Sequence, residues 1–191
     1  MKLQSVVGIL ITAIFAICSA AAQTWTKTDK ADPLRGTQFV QYALDGKYLT
    51  APRDAASNAV PAVIVRCVPG SHSRGHLRGK FLEGYIFVGG VVDSHVSANA
   101  STSATVEFRL DDGKLQSASW NHSTDFSSLF FSDIDFDNLL YGHLLKHKEN
   151  KGQQVRKVVL GVPEFLGGEV VMQFDMPDAA EVADVCGVIW H

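Results

Sequence analysis

Long apolar runs are scarce in this chain. After the first twenty-two residues none approaches the roughly 20 that a membrane-spanning helix requires, so the remainder is expected to be soluble. Cysteine is rare, with three in 191 residues, and none stands as Cys-x-x-Cys, which removes the usual redox motif. A basic excess is missing: 17 Lys and Arg face 20 Asp and Glu, for a formal net charge of −3. That balance argues against nucleic acid as a partner, which would call for a strongly basic patch. Neither Gly-x-Ser-x-Gly nor His-Glu-x-x-His occurs, so the common serine-hydrolase and zinc-protease signatures are absent. No internal repeat is visible.

What is present begins with an export signal. Met1-Lys2 supply a positive charge, Val6 to Ile17 are nearly all apolar, and Ser19-Ala20-Ala21-Ala22 end in an A-x-A site. This order is that of a cleaved secretory signal over 1–22, with Gln23 as the new N-terminus. Cys18 leaves with the signal. Cys67 and Cys186 remain, an even pair in an oxidising compartment, and a disulfide is expected between them, with two free thiols as the alternative. The loop closed would be long enough to contribute about 4–5 kcal/mol on chain-entropy grounds.

Residues 23–36 read as a polar arm, and 37–191 as a single β-rich domain. The expected fold class is α+β, predominantly antiparallel β, with a sandwich-like core, a helix near 134–147 and a short C-terminal helix. Gln38 to Leu44 reads as a strand and 45–60 as a loop. Pro61 to Val68 and Lys80 to Val92 are β-branched and apolar, as buried strands are. Thr105 to Leu110 alternates with period two, Asp111-Asp112-Gly113 makes a turn, and Lys114 to Trp120 alternates again, a strong hairpin pattern. Phe136, Leu139, Leu140, His143, Leu144 and His147 recur at helical spacing, with Asp133 or Asp135 as the N-cap. Val155–Val162 and Glu169–Phe174 read as a second hairpin. Asp178 with Glu181 opens a closing helix that presents Cys186 to the body.

Three stretches together resemble a known family. Val63-Ile64-Val65-Arg66-Cys67 is similar to its strand-Arg-Cys element. Val106 through Lys114, with Asp111-Asp112-Gly113, then Trp120 and Ser123-Thr124-Asp125, is similar to its hairpin. Phe174 through Cys186-Gly187 resembles its ending. The family is that of the TagO/VasI-like exported proteins associated with type VI secretion in Gram-negative bacteria. The resemblance covers most of 61–188. It implies a periplasmic accessory role with a protein or envelope partner, and it carries over no enzymatic activity and no cofactor.

His72 and His76, like His143 and His147, stand four apart, but a zinc site needs three or four converging ligands, so no metal is expected. Asp133, Asp135 and Asp137 begin like a calcium loop, yet Asn138 and Leu144 stand where Gly and Glu are required. His122, Ser123 and Asp125 contain the residue types of a catalytic triad, but adjacency in sequence does not make one, and the resemblance implies that Ser123-Thr124-Asp125 stabilises a turn through side-chain to backbone hydrogen bonds. No catalytic residue is assigned. His72, Arg74, His76, Arg78 and Lys80 form a local cationic loop suited to an anionic surface or partner. An exported hydrolase or small-ligand-binding domain is the alternative to an accessory protein.

Overall fold

The computed structural model describes residues 23–31, 36, 38–53, 58–68, 80–90, 103–141, 154–164 and 167–186. Among the described residues ten strands and two helices follow in this order: β1 (Thr26–Ala31), β2 (Gln38–Asp45), β3 (Lys47–Thr50), β4 (Ala62–Val68), β5 (Lys80–Phe87), β6 (Ser103–Leu110), β7 (Gln116–His122), β8 (Ser128–Phe131), α1 (Asp133–Tyr141), β9 (Lys157–Pro163), β10 (Glu169–Asp175) and α2 (Ala180–Cys186). The predominantly antiparallel α+β class expected from the sequence is what is found. All strands join one sheet in the order β1-β2-β4-β5-β8-β7-β6-β9-β10-β3, and every pairing is antiparallel.

The ends of that order explain the shape of the core. β2 stands near one end and β3 at the other, yet only Gly46 separates them in sequence. They are therefore one bent strand that pairs with β4 in its first half and with β10 in its second. The sheet must curl until its two ends share that strand, the corner device of closed and orthogonally packed sheets. Glycine suits the bend because a Cβ on Gly46 would meet the Phe174 ring and, at 2.9 Å, the Gln173 carbonyl oxygen.

The inner face follows period two. Val40, Tyr42 and Leu44 on β2, Ala104, Val106, Phe108 and Leu110 on β6, and Val170, Met172 and Phe174 on β10 are buried, while the residues between them are not. Facing inward from the rest are Val63, Val65, Cys67, Ile86, Trp120, Leu129, Phe131, Val158, Leu160 and Val162. Gly84 leaves room beneath the Phe131 ring, which occupies the position a side chain would need.

Both helices join this core. Phe136, Leu139 and Leu140 of α1 are buried, with Phe136 against Phe81 (6.0 Å between centroids) and Phe131 (5.9 Å). Val182, Ala183 and Cys186 of α2 are buried, and Cys186 bonds to Cys67 with Cα atoms 5.0 Å apart. Gln154 links the two ends of this region, donating to the Pro177 carbonyl and accepting from the Ala179 amide at 3.4 Å.

Several local expectations shift. Residues 26–31 of the arm form strand β1 against β2; their polarity hid it, because every β1 residue is exposed. Within the expected loop 45–60, β3 is a strand that β10 templates. The α1 N-cap is Ser132, not Asp133 or Asp135. Its Oγ accepts from the Asp135 amide (3.1 Å) while Asp135 Oδ2 accepts from the Ser132 amide (3.1 Å), a reciprocal capping box. The expected continuation of this helix through His143 to His147 lies outside the described residues. Among those residues no helix is long and apolar enough to cross a membrane.

Candidate functional site

The expected turn residues separate into two places. Asp111, Asp112 and Gly113 close β6, whereas Ser123, Thr124 and Asp125 follow the far end of β7. Trp120 lies between them, buried in the core, where it packs on Phe108 at 6.4 Å and Phe131 at 5.5 Å. The motif is thus a run of structural positions along one strand, not one convergent site.

At the first turn the residue with positive φ is Asp111 (48°). Asp is among the few side chains that tolerate this region. Its carboxylate then faces β9, and Oδ1 accepts from the Arg156 amide (2.9 Å) and the Lys157 amide (2.8 Å). Asp111 therefore fastens the β6–β7 hairpin to the start of β9. Asp111→Ala is expected to cost about 1–3 kcal/mol, since it leaves two amides without their acceptor and puts a residue that tolerates positive φ less well than Asp in that conformation. Chemical denaturation of the two proteins measures this directly.

The second turn is held by its own side chains. Asp125 Oδ1 accepts from Ser123 Oγ (2.5 Å), the Ser127 amide (3.2 Å) and Ser127 Oγ (3.0 Å), and Ser123 Oγ accepts from the Ser128 amide at 3.0 Å. The hydrogen bond from Ser123, followed by those from Ser127, holds the Asp125 carboxyl below its usual range. His122 turns its Nδ1 toward the Ser123 carbonyl (3.0 Å) and lies tilted against the Phe126 ring, with centroids 4.3 Å apart. Ser123 thus donates its proton toward a carboxylate, not toward an imidazole base, and the three residues have no nucleophile–base geometry.

Of the cationic loop, His72, Arg74, His76 and Arg78 lie outside the described residues. Lys80 opens β5.

Three clusters escaped the sequence reading. On the outer face Arg66 reaches across β4's neighbours. It donates to Gln41 Oε1 at 3.1 Å, to Tyr85 Oη at 3.2 Å and to Glu83 in an ion pair. Its guanidinium lies over Phe39 (5.7 Å) and Tyr85 (5.4 Å). Burial raises the Tyr85 hydroxyl above its ordinary pKa. Arg66 points outward, and its carboxylate partner is Glu83. Register decides that, and a bulge between Arg66 and Cys67 sets it. The signal for Glu83 was therefore not local.

The second cluster joins β1, β2 and α2. Glu181 Oε1 accepts from Lys27 Nζ (2.7 Å) and Tyr42 Oη (3.1 Å). The Lys27 hydrogen bond, then that of Tyr42, holds Glu181 below its ordinary value of 4.5, and the same bond raises Lys27. Burial raises Tyr42. Glu181 has a lower pKa folded than unfolded, so its contribution is in place above 4.5 and is lost as pH falls through the folded value. Lys27 is the mirror case, contributing below its ordinary value of 10.5 and losing that contribution as pH rises through the raised one. Glu181→Gln is expected to lower the melting temperature at neutral pH and to converge with the parent protein in acid. Melting curves from pH 7 to pH 3 test this, and parallel curves would sink it.

The third is a shallow groove of about 290 Å³ lined by Thr105, Glu107, Gly161, Pro163, Gly168 and Glu169. Its floor is bare at Gly161, over which the Glu169 carboxylate folds. Glu107 stands directly across from Gly161 on the neighbouring strand. Beside the groove, the buried Glu164 accepts from the Arg53 amide at 2.5 Å, fastening the end of β3's segment to the β9–β10 hairpin. Among the described residues no three His, Cys, Asp or Glu side chains gather as metal ligands.

Comparison with known proteins finds no matching family model, no matching curated protein and no matching solved structure.

Proposed function

We propose that this chain is an exported, non-catalytic accessory or interaction protein of the bacterial periplasm or envelope, acting with a secretion system of the type VI kind. The observation that carries the reading is the buried Cys67–Cys186 bond, with both cysteines at or below 1% exposure. Such a bond persists in an oxidising compartment, and the first twenty-two residues have the charge and apolar order that delivers a chain there. The described polar side chains further support it. Ser123, Asp125, Asp111, Glu164 and Glu181 each hold a turn, a hairpin or a helix in place. The secretion-system link rests on the resemblance of residues 61–188.

Affinity capture of the exported protein from cross-linked periplasm of a Gram-negative host tests this reading. Stoichiometric recovery of secretion-machine components is the expected result. Capture of no envelope or secretion component would overturn it. A small-ligand-binding role is the second reading, favoured by the groove between Glu107 and Glu169; Glu107→Gln would then abolish ligand binding without altering capture.

A further inference from the structure

We infer that the outer edge of β1 is a self-association edge that takes β1 of a second copy of this chain, antiparallel and centred on Thr28. This stands whether or not the accessory reading holds. Among the described residues β1 is the terminal strand of the order and pairs on one side only, with β2 from Thr26↔Ala43 to Ala31↔Gln38. All six of its residues are exposed. An unpaired strand edge is a template for another strand.

The edge is also held in place. Gln23, just ahead of it, accepts from the Asp175 amide at 3.1 Å, and Lys27 is bonded to Glu181. It therefore presents a fixed row of backbone groups.

The side chains select one register. Residues directly opposite in an antiparallel pair share a face, where opposite charges attract and like charges repel. Centred on Thr28, the strand Thr26-Lys27-Thr28-Asp29-Lys30-Ala31 places Lys27 opposite the partner's Asp29, and Asp29 opposite the partner's Lys27. Lys30 then faces Thr26. A shift that centres the pairing between Thr28 and Asp29 sets Lys27 against Lys30 twice. A shift to Asp29 sets that carboxylate against itself. Two-fold symmetry requires one residue to face its own counterpart, and among such registers only the one centred on Thr28 makes two attractive pairs, which makes the interface isologous. In it the partner's Asp29 joins Lys27 and Glu181 in one alternating row of charge. The lysines that guard the edge against indiscriminate pairing become the selectors of this one.

One strand pair buries less than the roughly 1,000 Å² of a stable interface, so the dimer is weak and concentration-dependent. Sedimentation velocity over a concentration series at low salt is the test. The unmodified protein should dimerise, and Asp29→Lys should weaken that about tenfold or more, as two attractive pairs become repulsive. Asp29→Lys and Lys27→Asp, each monomeric alone, should form a heterodimer when mixed, because both pairs are then attractive again. Melting curves establish that each variant is folded, and the Asp29→Lys comparison stands alone if Lys27→Asp is not. A protein that stays monomeric throughout, or an Asp29→Lys variant that dimerises undiminished, would overturn the inference.

Discussion

Replacing Cys186 with alanine is expected to lower the melting temperature of the oxidised protein by roughly 5–15 °C, the range that follows from losing about 2–5 kcal/mol in a chain of this size. The bond closes a loop of 119 residues. It joins β4, in the middle of the first half of the sheet, to the last residue of α2. Without it the unfolded chain gains the freedom of that loop. In the folded state α2 retains Val182 and Ala183 in the core and the exposed Glu181–Lys27 pair. Exposed pairs contribute little, so a helix of seven residues would rest mainly on apolar packing and on the hydrogen bonds from Tyr42 and to Gln154. Calorimetry of the parent and Cys186→Ala proteins decides the matter. Identical melting under oxidising conditions would show that the bond constrains nothing. Because both sulfurs are buried, a reducing thiol should not cleave the bond until the protein unfolds.

Trp120→Ala is expected to cost about 3–5 kcal/mol, while Trp120→Phe should cost less than about 1.5 kcal/mol. Trp120 is 2% exposed and touches the rings of both Phe108 and Phe131. Phe131 in turn stacks on Phe136 and fills the space over Gly84. Removing the indole opens a cavity at the centre of an aromatic chain running from β6 to α1. The indole Nε1 has no hydrogen-bond partner among the described residues, so phenylalanine forfeits volume and no polar contact. Urea titrations measure both variants. A large loss for Trp120→Phe would mean that the indole nitrogen makes a bond that matters.

The parts legible in the sequence are the local ones. The β6–β7 and β9–β10 hairpins connect neighbouring strands, and period two with turn residues marks them without help. The Cys67–Cys186 bond needed only a count. What stayed hidden depends on partners far along the chain. β1 is polar on both faces because it lies at the rim, so no periodicity betrays it. β3 has four residues, and β10 gives it a ladder. Of the site clusters, Ser123 and Asp125 were legible because their bonds span two to five residues. Arg66–Glu83, Lys27–Tyr42–Glu181 and Arg53–Glu164 were not, because register and closure bring them together. Asp111 was half legible: the turn is local, but its grip on β9 is not.

The bent strand β2–β3 also fixes an order of events. A chain made or threaded from its N-terminus completes β2–β3 early, yet Tyr48 must wait for Met172, near the other end. Ring closure is thus a contact of very long sequence separation, the kind that slows folding and comes after its entropy has been spent. Until β10 arrives, Val40, Tyr42 and Leu44 have no far wall, and β3 is an open ladder beside the exposed Leu49. A chaperone that holds the nascent chain would therefore serve it best at β2–β3, and a stop codon anywhere before β10 would leave a half-built sheet that cannot close.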